Sequence, residues 1–244
     1  MGPVGITDIG KHRLNNEDAL FVSGKGFHEL PNLFIVADGM GGHNAGEVAS
    51  SEAILFFKDY CSKTPLNKNE ILDYLVTGCI YANNRVFEMA GSSKSYSGMG
   101  TTFSVCVKDA DRLYIAHIGD SRVYAVYDDA IKQLTTDHTY VCELLKLGQI
   151  TEEQARKHPR RNILTRVLGV ERDVEIDGQV FDLSGCKKIL LCSDGFTDML
   201  SDGDIFEELR GSNAEAAQRL VDKANERGGG DNITLIIFDT TDAG

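Results

Sequence analysis

LFIVADGMGGH, residues 33–43, runs an unbroken apolar stretch into an aspartate followed at once by glycines. A strand with one wet face would alternate polar and apolar residues, so a continuous run of this length reads as a strand covered on both faces. Asp38 stands where the run Leu33–Ala37 ends, and Gly39 permits a turn or a close backbone approach. The same design returns in ILLCSDGFTD, residues 189–198, with Asp194 and Gly195. HIGDSR adds Asp120, GGGDNIT adds Asp231, and NNEDAL adds Glu17 and Asp18. Singly, Asp-Gly and Gly-Asp are ordinary turn dipeptides. Asp120 is the weakest case, because RLYIAHIGDSRVYAVYDD reads as two strands of one hairpin. Together these positions predict several carboxylates meeting at one place.

Carboxylate and carbonyl oxygens suit hard divalent ions such as Mg²⁺ or Mn²⁺. Without a cation such a cluster repels itself, and its pKa values rise. Two ions held together activate water and stabilise an in-line displacement at phosphorus. Arg13, in KHRLNNED, is placed four residues before Glu17 and suits bidentate phosphate binding.

The 244 residues carry a net charge of −12, and no Lys/Arg cluster supplies the basic face that nucleic-acid binding needs. An acidic surface also disfavours an anionic membrane, and no apolar stretch approaches the length of a span. Neither a signal peptide nor membrane insertion is expected, so a cytoplasmic location is the default. The six cysteines are scattered with no Cys-x-x-Cys, as buried free thiols in a reducing compartment would be. No cysteine nucleophile is expected.

Strands are predicted at Leu33–Ala37, Thr102–Val107, Leu113–His117, Val123–Tyr127, Val174–Phe181, Lys188–Cys192 and Ile233–Asp239. Helical periodicity marks AGEVASSEAILFFKDY after an Asn44 cap, NEILDYLVTGCIYANNRVFEMAG, and NAEAAQRLVDKANERGG at 213–229. The order lacks regular βαβ alternation and predicts an α+β layered fold of mainly antiparallel sheet. Residues 138–169 are polar and short-helical, and read as a functional insertion over a surface. His117 reads as a packed strand residue, and His138, which opens the insertion, as structural.

TDIGKHRLNNEDA, LFIVADGMGGHNAGEVAS, SGMGTTFSVCV, LYIAHIGDSRVY, LTTDHT, ILLCSDGFTDML and GGGDNITLIIFD follow one another from Thr7 to Asp239. In this order they resemble the motifs of the metal-dependent protein phosphatases (PPM, protein phosphatase type 2C) in their compact bacterial form. The resemblance implies one domain over 1–244 with a flap at about 138–169. It implies a four-layer α-β-β-α sandwich, two central antiparallel sheets flanked by helices. It further implies hydrolysis of phosphoserine and phosphothreonine on proteins, through a binuclear Mn²⁺/Mg²⁺ centre and metal-activated water. Asp38 is similar to the bridging aspartate, Gly39 to the carbonyl ligand, and Asp194 and Asp231 to the aspartates that complete the pair. Glu17 and Asp18 match acidic residues acting partly through water, Asp120 matches the ligand of a third ion, and Arg13 matches the phosphate-binding arginine. The implied partners are phosphorylated proteins, a Ser/Thr kinase and its targets; the sequence does not fix the oligomeric state, for which a monomer is the default.

One departure stands out. Met40 occupies the position directly after Asp-Gly where some members carry a histidine, and the histidine here comes later, as His43. Its role as general acid, orienter or spectator stays open. Two rivals stand against this reading: an aspartyl-nucleophile phosphatase, which wants Asp-x-Asp at the strand end, and a regulatory pseudophosphatase, which would lack ligands.

Overall fold

The computed structural model describes residues 2–42 and 45–241, so His43 and the expected Asn44 cap lie outside the described residues. The chain forms β1 (Val4–Asp8), β2 (Asp18–Ser23), β3 (Leu33–Met40), α1 (Ala45–Lys63), α2 (Ile71–Ser92), β4 (Gly100–Thr101), β5 (Phe103–Asp109), β6 (Arg112–Ile118), β7 (Arg122–Val126) and β8 (Ile131–Gln133). There follow α3 (Tyr140–Lys146), α4 (Glu152–Arg156), β9 (Asp177–Asp182), β10 (Lys188–Cys192), α5 (Asp194–Thr197), α6 (Asp202–Glu208), α7 (Asn213–Glu226) and β11 (Ile233–Asp239). One sheet has the order β1-β11-β10-β7-β8 and the other β2-β3-β5-β6-β9, with β4 paired to β3. Neighbouring strands run antiparallel throughout.

The period-2 alternation of side chains explains the layers. On β3, Leu33, Ile35 and Ala37 face α1 and α2, where they meet Phe57, Leu75 and Cys79. Phe34 and Val36 face the other way, into the space between the sheets, with Val123, Ile189, Leu191, Ile236 and Phe238. The rings of Phe34 and Phe238 stack across that space at 4.0 Å. Leu190, Leu235 and Ile237 leave the second sheet on its far side and pack on Ile205 of α6 and Leu220 of α7. Three apolar layers therefore separate four structural ones, the α-β-β-α sandwich. Doubly covered strands must be apolar at every position, which is why β3, β10 and β11 carry no alternation.

Two expectations change. β3 does not stop at Ala37. It continues through Met40, with Gly39 opposite Thr101 and Met40 opposite Gly100, so Asp38 sits within a strand rather than at a turn. β6 and β7 do not form a hairpin. β6 pairs with β5 and β9 in one sheet, and β7 with β10 and β8 in the other. Gly119-Asp120-Ser121 is the crossing between sheets, not a plain turn.

The segment after β8 carries the short helices α3 and α4 and is tied back by isolated bridges, Thr139 to Leu164 and Thr101 to Leu168. No helix among the described residues is long and apolar enough to cross a membrane.

Candidate active site

Both sheets deliver their acidic residues to the same edge of the sandwich. Asp18 and Asp38 are directly opposite each other on β2 and β3. Asp194 opens α5 immediately after β10, and Asp231 lies just before β11, which pairs with β10. Asp120 enters from the inter-sheet crossing.

The backbone of Asp38 is fully engaged. Its N–H donates to Thr102 Oγ1 at 2.9 Å, and its carbonyl accepts from Thr102 N and Thr101 Oγ1, both at 2.9 Å. The side chain faces its acidic neighbours and shares a hydrogen bond with Asp194. Gly39 is required sterically, since a Cβ there would run into the Gly46 carbonyl at the start of α1. A Cβ on Gly46 would stand 2.7 Å from Glu17 Oε1 and 2.8 Å from the Gly39 carbonyl oxygen, so both acceptors border the start of α1.

The electrostatics are those of crowded, largely half-buried acids. Burial first, then the charges of Asp18, Asp194 and Asp120, hold the Asp38 carboxyl well above the usual range. Burial pushes Asp18 up to about 7, against hydrogen bonds from Thr234 and Ser193. Asp194 rises to about 6 by burial. Asp120, 8% exposed, is also raised by burial and by the charge of Asp194. Glu17 is raised by burial, partly offset by Arg13. Each group is charged at a cost, and a bound dication would remove that cost.

Arg13 is the cation at the rim. Its Nη2 donates to Asp231 Oδ2 at 2.6 Å, and its Nη1 lies 3.8 Å from Glu17 Oε2. Ser193 Oγ donates to Asp18 Oδ2 at 2.7 Å. Among the described residues no three acidic, His or Cys side chains already converge in ligating geometry. Asp231 is turned to Arg13 and Asp18 to Ser193. The donor set of carboxylates beside a strand carbonyl still fits a hard divalent ion, with no thiolate or imidazole among it.

Several residues that the sequence reading did not single out complete the arrangement. Asn232 Oδ1 accepts from Glu17 N at 2.8 Å, while its Nδ2 donates to the carbonyls of Ile9 and Asn15. It thereby fixes the Arg13–Glu17 loop onto β11, and its place beside Asp231 in GGGDNIT was the available signal. Asp198, four residues after Asp194, raises the Asp194 pKa after burial has done so. Arg161 Nη2 lies 3.8 Å from its carboxyl. The two aspartates of SDGFTD were visible as an i, i+4 pair on one helical turn.

The expectation of no cysteine nucleophile meets one test. The spacing Cys-x5-Arg of thiol phosphatases does occur, from Cys79 to Arg85 on α2 and from Cys106 on β5 to Arg112 on β6. Both cysteines are fully buried in the core, and burial pushes each thiol up. That environment suits packing rather than a thiolate. His117 is buried with Nδ1 bonded to Ser104 Oγ at 2.9 Å, while its Nε2 is buried without a hydrogen-bond partner.

A family profile described as Protein phosphatase 2C matches residues 10–225. The chain is 40% identical to a serine/threonine phosphatase, stp, of Listeria innocua over 96% of this chain and 93% of that protein. It is 35% identical to protein phosphatase PhpP of Streptococcus pneumoniae, over 95% and 94%. Among solved structures, the serine/threonine phosphatase Stp1 of Staphylococcus aureus superposes with a TM-score of 0.90 at 34% identity, covering 96% of this chain and 93% of that one. The catalytic domain of the serine/threonine phosphatase PstP, solved with 2 manganese ions, superposes with a TM-score of 0.82 at 34% identity, covering 97% and 96%. The order of acidic motifs, the two-sheet sandwich that carries them to one edge, and these likenesses agree: the chain belongs to the protein phosphatase 2C family and is a protein phosphatase.

Proposed function

We propose that the chain hydrolyses phosphoserine and phosphothreonine on proteins at the acidic edge of its sandwich, using two divalent ions. The observation that carries this reading is the convergence at one edge of the sandwich of the half-buried Asp18, Asp38 and Asp194 with the buried Asp120, each raised in pKa by its surroundings. The names of its relatives and the manganese in one solved relative point the same way. Asp38, Asp194, Asp231 and the Gly39 carbonyl would hold the core pair of Mn²⁺ or Mg²⁺ ions, with Glu17 and Asp18 nearby and Asp120 toward a third. Bound there, the ions supply positive charge to the phosphate and make water nucleophilic at neutral pH.

The chain's own residues do the rest. Arg13 turns its guanidinium from Asp231 to the substrate phosphate, which it can grip with two parallel N–H donors. Asp38 is presented rigidly, because its backbone is saturated by Thr101 and Thr102. The wall toward residues 164–175 is formed by Met40, 37% exposed, beside a cleft lined by Leu164, Arg166, Val170 and Glu175. This cleft lies alongside the segment we assign as the flap, about 138–169, in a single domain over 1–244. His43 stays a candidate proton donor to the leaving oxygen, from outside the described residues. The physiological partners of this reading are phosphoproteins, a Ser/Thr kinase and its targets, met by a monomer in the cytoplasm.

The test is release of phosphate from a phosphothreonine peptide across a Mn²⁺ titration, with an EDTA blank. Metal-dependent release that EDTA abolishes is the expected result. Equal release in EDTA would overturn the metal centre, and metal binding without any release would turn the chain into a phosphoprotein-binding module.

A further inference from the structure

We propose that His138 is a positioning residue for Asp120, and that Asp177 and Arg166 hold it in place. The proposal rests on the reading of Asp120 as a carboxylate directed at metal. Gly119, the residue before it, spends both of its backbone polar groups on His138. Its N–H donates to His138 Nδ1 at 3.0 Å, and its carbonyl accepts from His138 N at 2.8 Å. Because Nδ1 accepts from a backbone N–H, the ring proton is on Nε2. Nε2 faces Asp177 Oδ2 at 3.2 Å, so the same proton that fixes the tautomer also fixes the ring. The histidine is 2% exposed.

Asp177 is in turn held by Arg166, whose Nη1 donates to Asp177 Oδ1 at 3.0 Å and to the Glu175 carbonyl at 3.2 Å. Thr165 N donates to the His138 carbonyl at 2.8 Å. The 164–177 segment thus grips His138 from the backbone and from the ring edge. The far end of the crossing is clamped by the preceding residue. Asp137 accepts Arg122 Nε at 3.0 Å on each of its oxygens, and Nη2 at 2.6 Å. Adjacent residues of TTDHT therefore hold the two ends of Gly119–Arg122.

The crossing has little slack. Gly119 has φ +106°, and a Cβ there would meet Thr102 Cβ at 2.5 Å. Thr102 Oγ1 and Ser121 Oγ share a hydrogen bond of 2.7 Å, and the same Thr102 Oγ1 accepts from Asp38 N. A shift of Gly119 is thereby a shift of Asp120 against Asp38. Side chains that orient metal-facing groups from outside typically contribute roughly 10–100-fold in metal affinity.

The experiment reads Mn²⁺ binding directly, by the paramagnetic resonance signal of free Mn²⁺, for wild type, Asp120→Asn, His138→Leu, His138→Asn, Asp177→Asn, and the pairs of Asp120→Asn with His138→Leu and with Asp177→Asn. His138→Leu is expected to weaken the Asp120-dependent ion roughly 10–100-fold, matching Asp120→Asn, with the double variant no weaker than either single one. His138→Asn, whose amide oxygen can replace Nδ1 as acceptor, is expected to recover most of that affinity. With a phosphothreonine peptide at fixed Mn²⁺, kcat falls in His138→Leu and KM does not. Should His138→Leu fail to fold, Asp177→Asn, altered at a side chain 24% exposed, carries the test with a smaller loss and the same non-additivity. Wild-type binding together with unaltered binding in the folded His138 or Asp177 variants, or losses that add to that of Asp120→Asn, would overturn this proposal alone. A wild type that binds no Mn²⁺ would overturn the reading beneath it as well.

Discussion

Arg13 and Asp231 meet at 2.6 Å at the mouth of the acidic edge, in a pair that is close but still reached by solvent. An exposed pair of this kind contributes little to stability. Its energetic interest lies in what replaces Asp231 when a phosphate arrives. Arg13→Ala is expected to raise KM for a phosphothreonine peptide by about 1.5–3 kcal/mol, the value of a hydrogen bond to a charged group, with kcat little changed. Steady-state kinetics check it, and a fall in kcat at constant KM would assign Arg13 to the chemical step instead. At the same scale, Asp38 and Asp194 were legible in the sequence, because each follows a run that only a doubly covered strand tolerates. His138 was not. Nothing near it in sequence tells that Gly119, Asp177 and Thr165 converge on it, since each contact joins it to a segment at least 19 residues away in the chain.

β5 begins at the point where three elements are joined by one hydroxyl. Thr102 Oγ1, just before Phe103, accepts from Asp38 N on β3 and bonds Ser121 Oγ at the crossing into β7. Thr102→Val keeps the shape and removes that oxygen, leaving the Asp38 N–H and the Ser121 hydroxyl without their buried partner. The expected cost is about 1–3 kcal/mol in chemical denaturation, and an unchanged midpoint would mean that water or a backbone shift replaces the bond. Elements differed in how far they could be read. β10 and β11 match the sequence bounds, as continuous apolar runs should. β1 and β2 escaped notice because VGITD and DALFVS are short and half-buried, and became strands through pairing with β11 and β3. The stretch around Gly119 misled because its flanks are strands in good hairpin spacing. Which strand each one pairs with is decided by residues far away in the chain.

Across the whole molecule, four apolar-lined layers hold together an edge that opposes its own charges. Asp18 and Asp194 sit near 7 and 6 in the folded state, against a reference of 3.8. Raised carboxyl pKa values mean that the folded chain binds more protons than the unfolded one between about pH 4 and pH 7. Stability from these groups is therefore present at low pH and lost as pH rises through that window. His117 works in the opposite sense, since burial holds it near 4 and it favours folding only while neutral. Comparison with Asp18→Asn separates the two. In chelator, wild type is expected to lose stability relative to Asp18→Asn as pH rises from about 4 to about 7, by at most about 1.4 kcal/mol per pH unit. Denaturant midpoints across that range check the sign, and a wild type that gains on the variant would refute the raised pKa. Saturating Mn²⁺ is expected to reverse the deficit, because an ion that binds only the folded chain stabilises it by mass action.

The most direct test is Asp38→Asn, which keeps the shape of the side chain and removes the charge at the centre of the cluster. Two quantities are read from one preparation: thermal stability in EDTA, and Mn²⁺-dependent hydrolysis of a phosphothreonine peptide. The account predicts a melting temperature in EDTA at or above that of wild type, because the self-repulsion is relieved. It also predicts hydrolysis lowered by at least roughly 10²–10³-fold, the loss for one preorganised stabiliser of transition-state charge. A variant that melts lower in EDTA yet turns over peptide normally would contradict it, placing Asp38 in the architecture of the fold and the chemistry elsewhere.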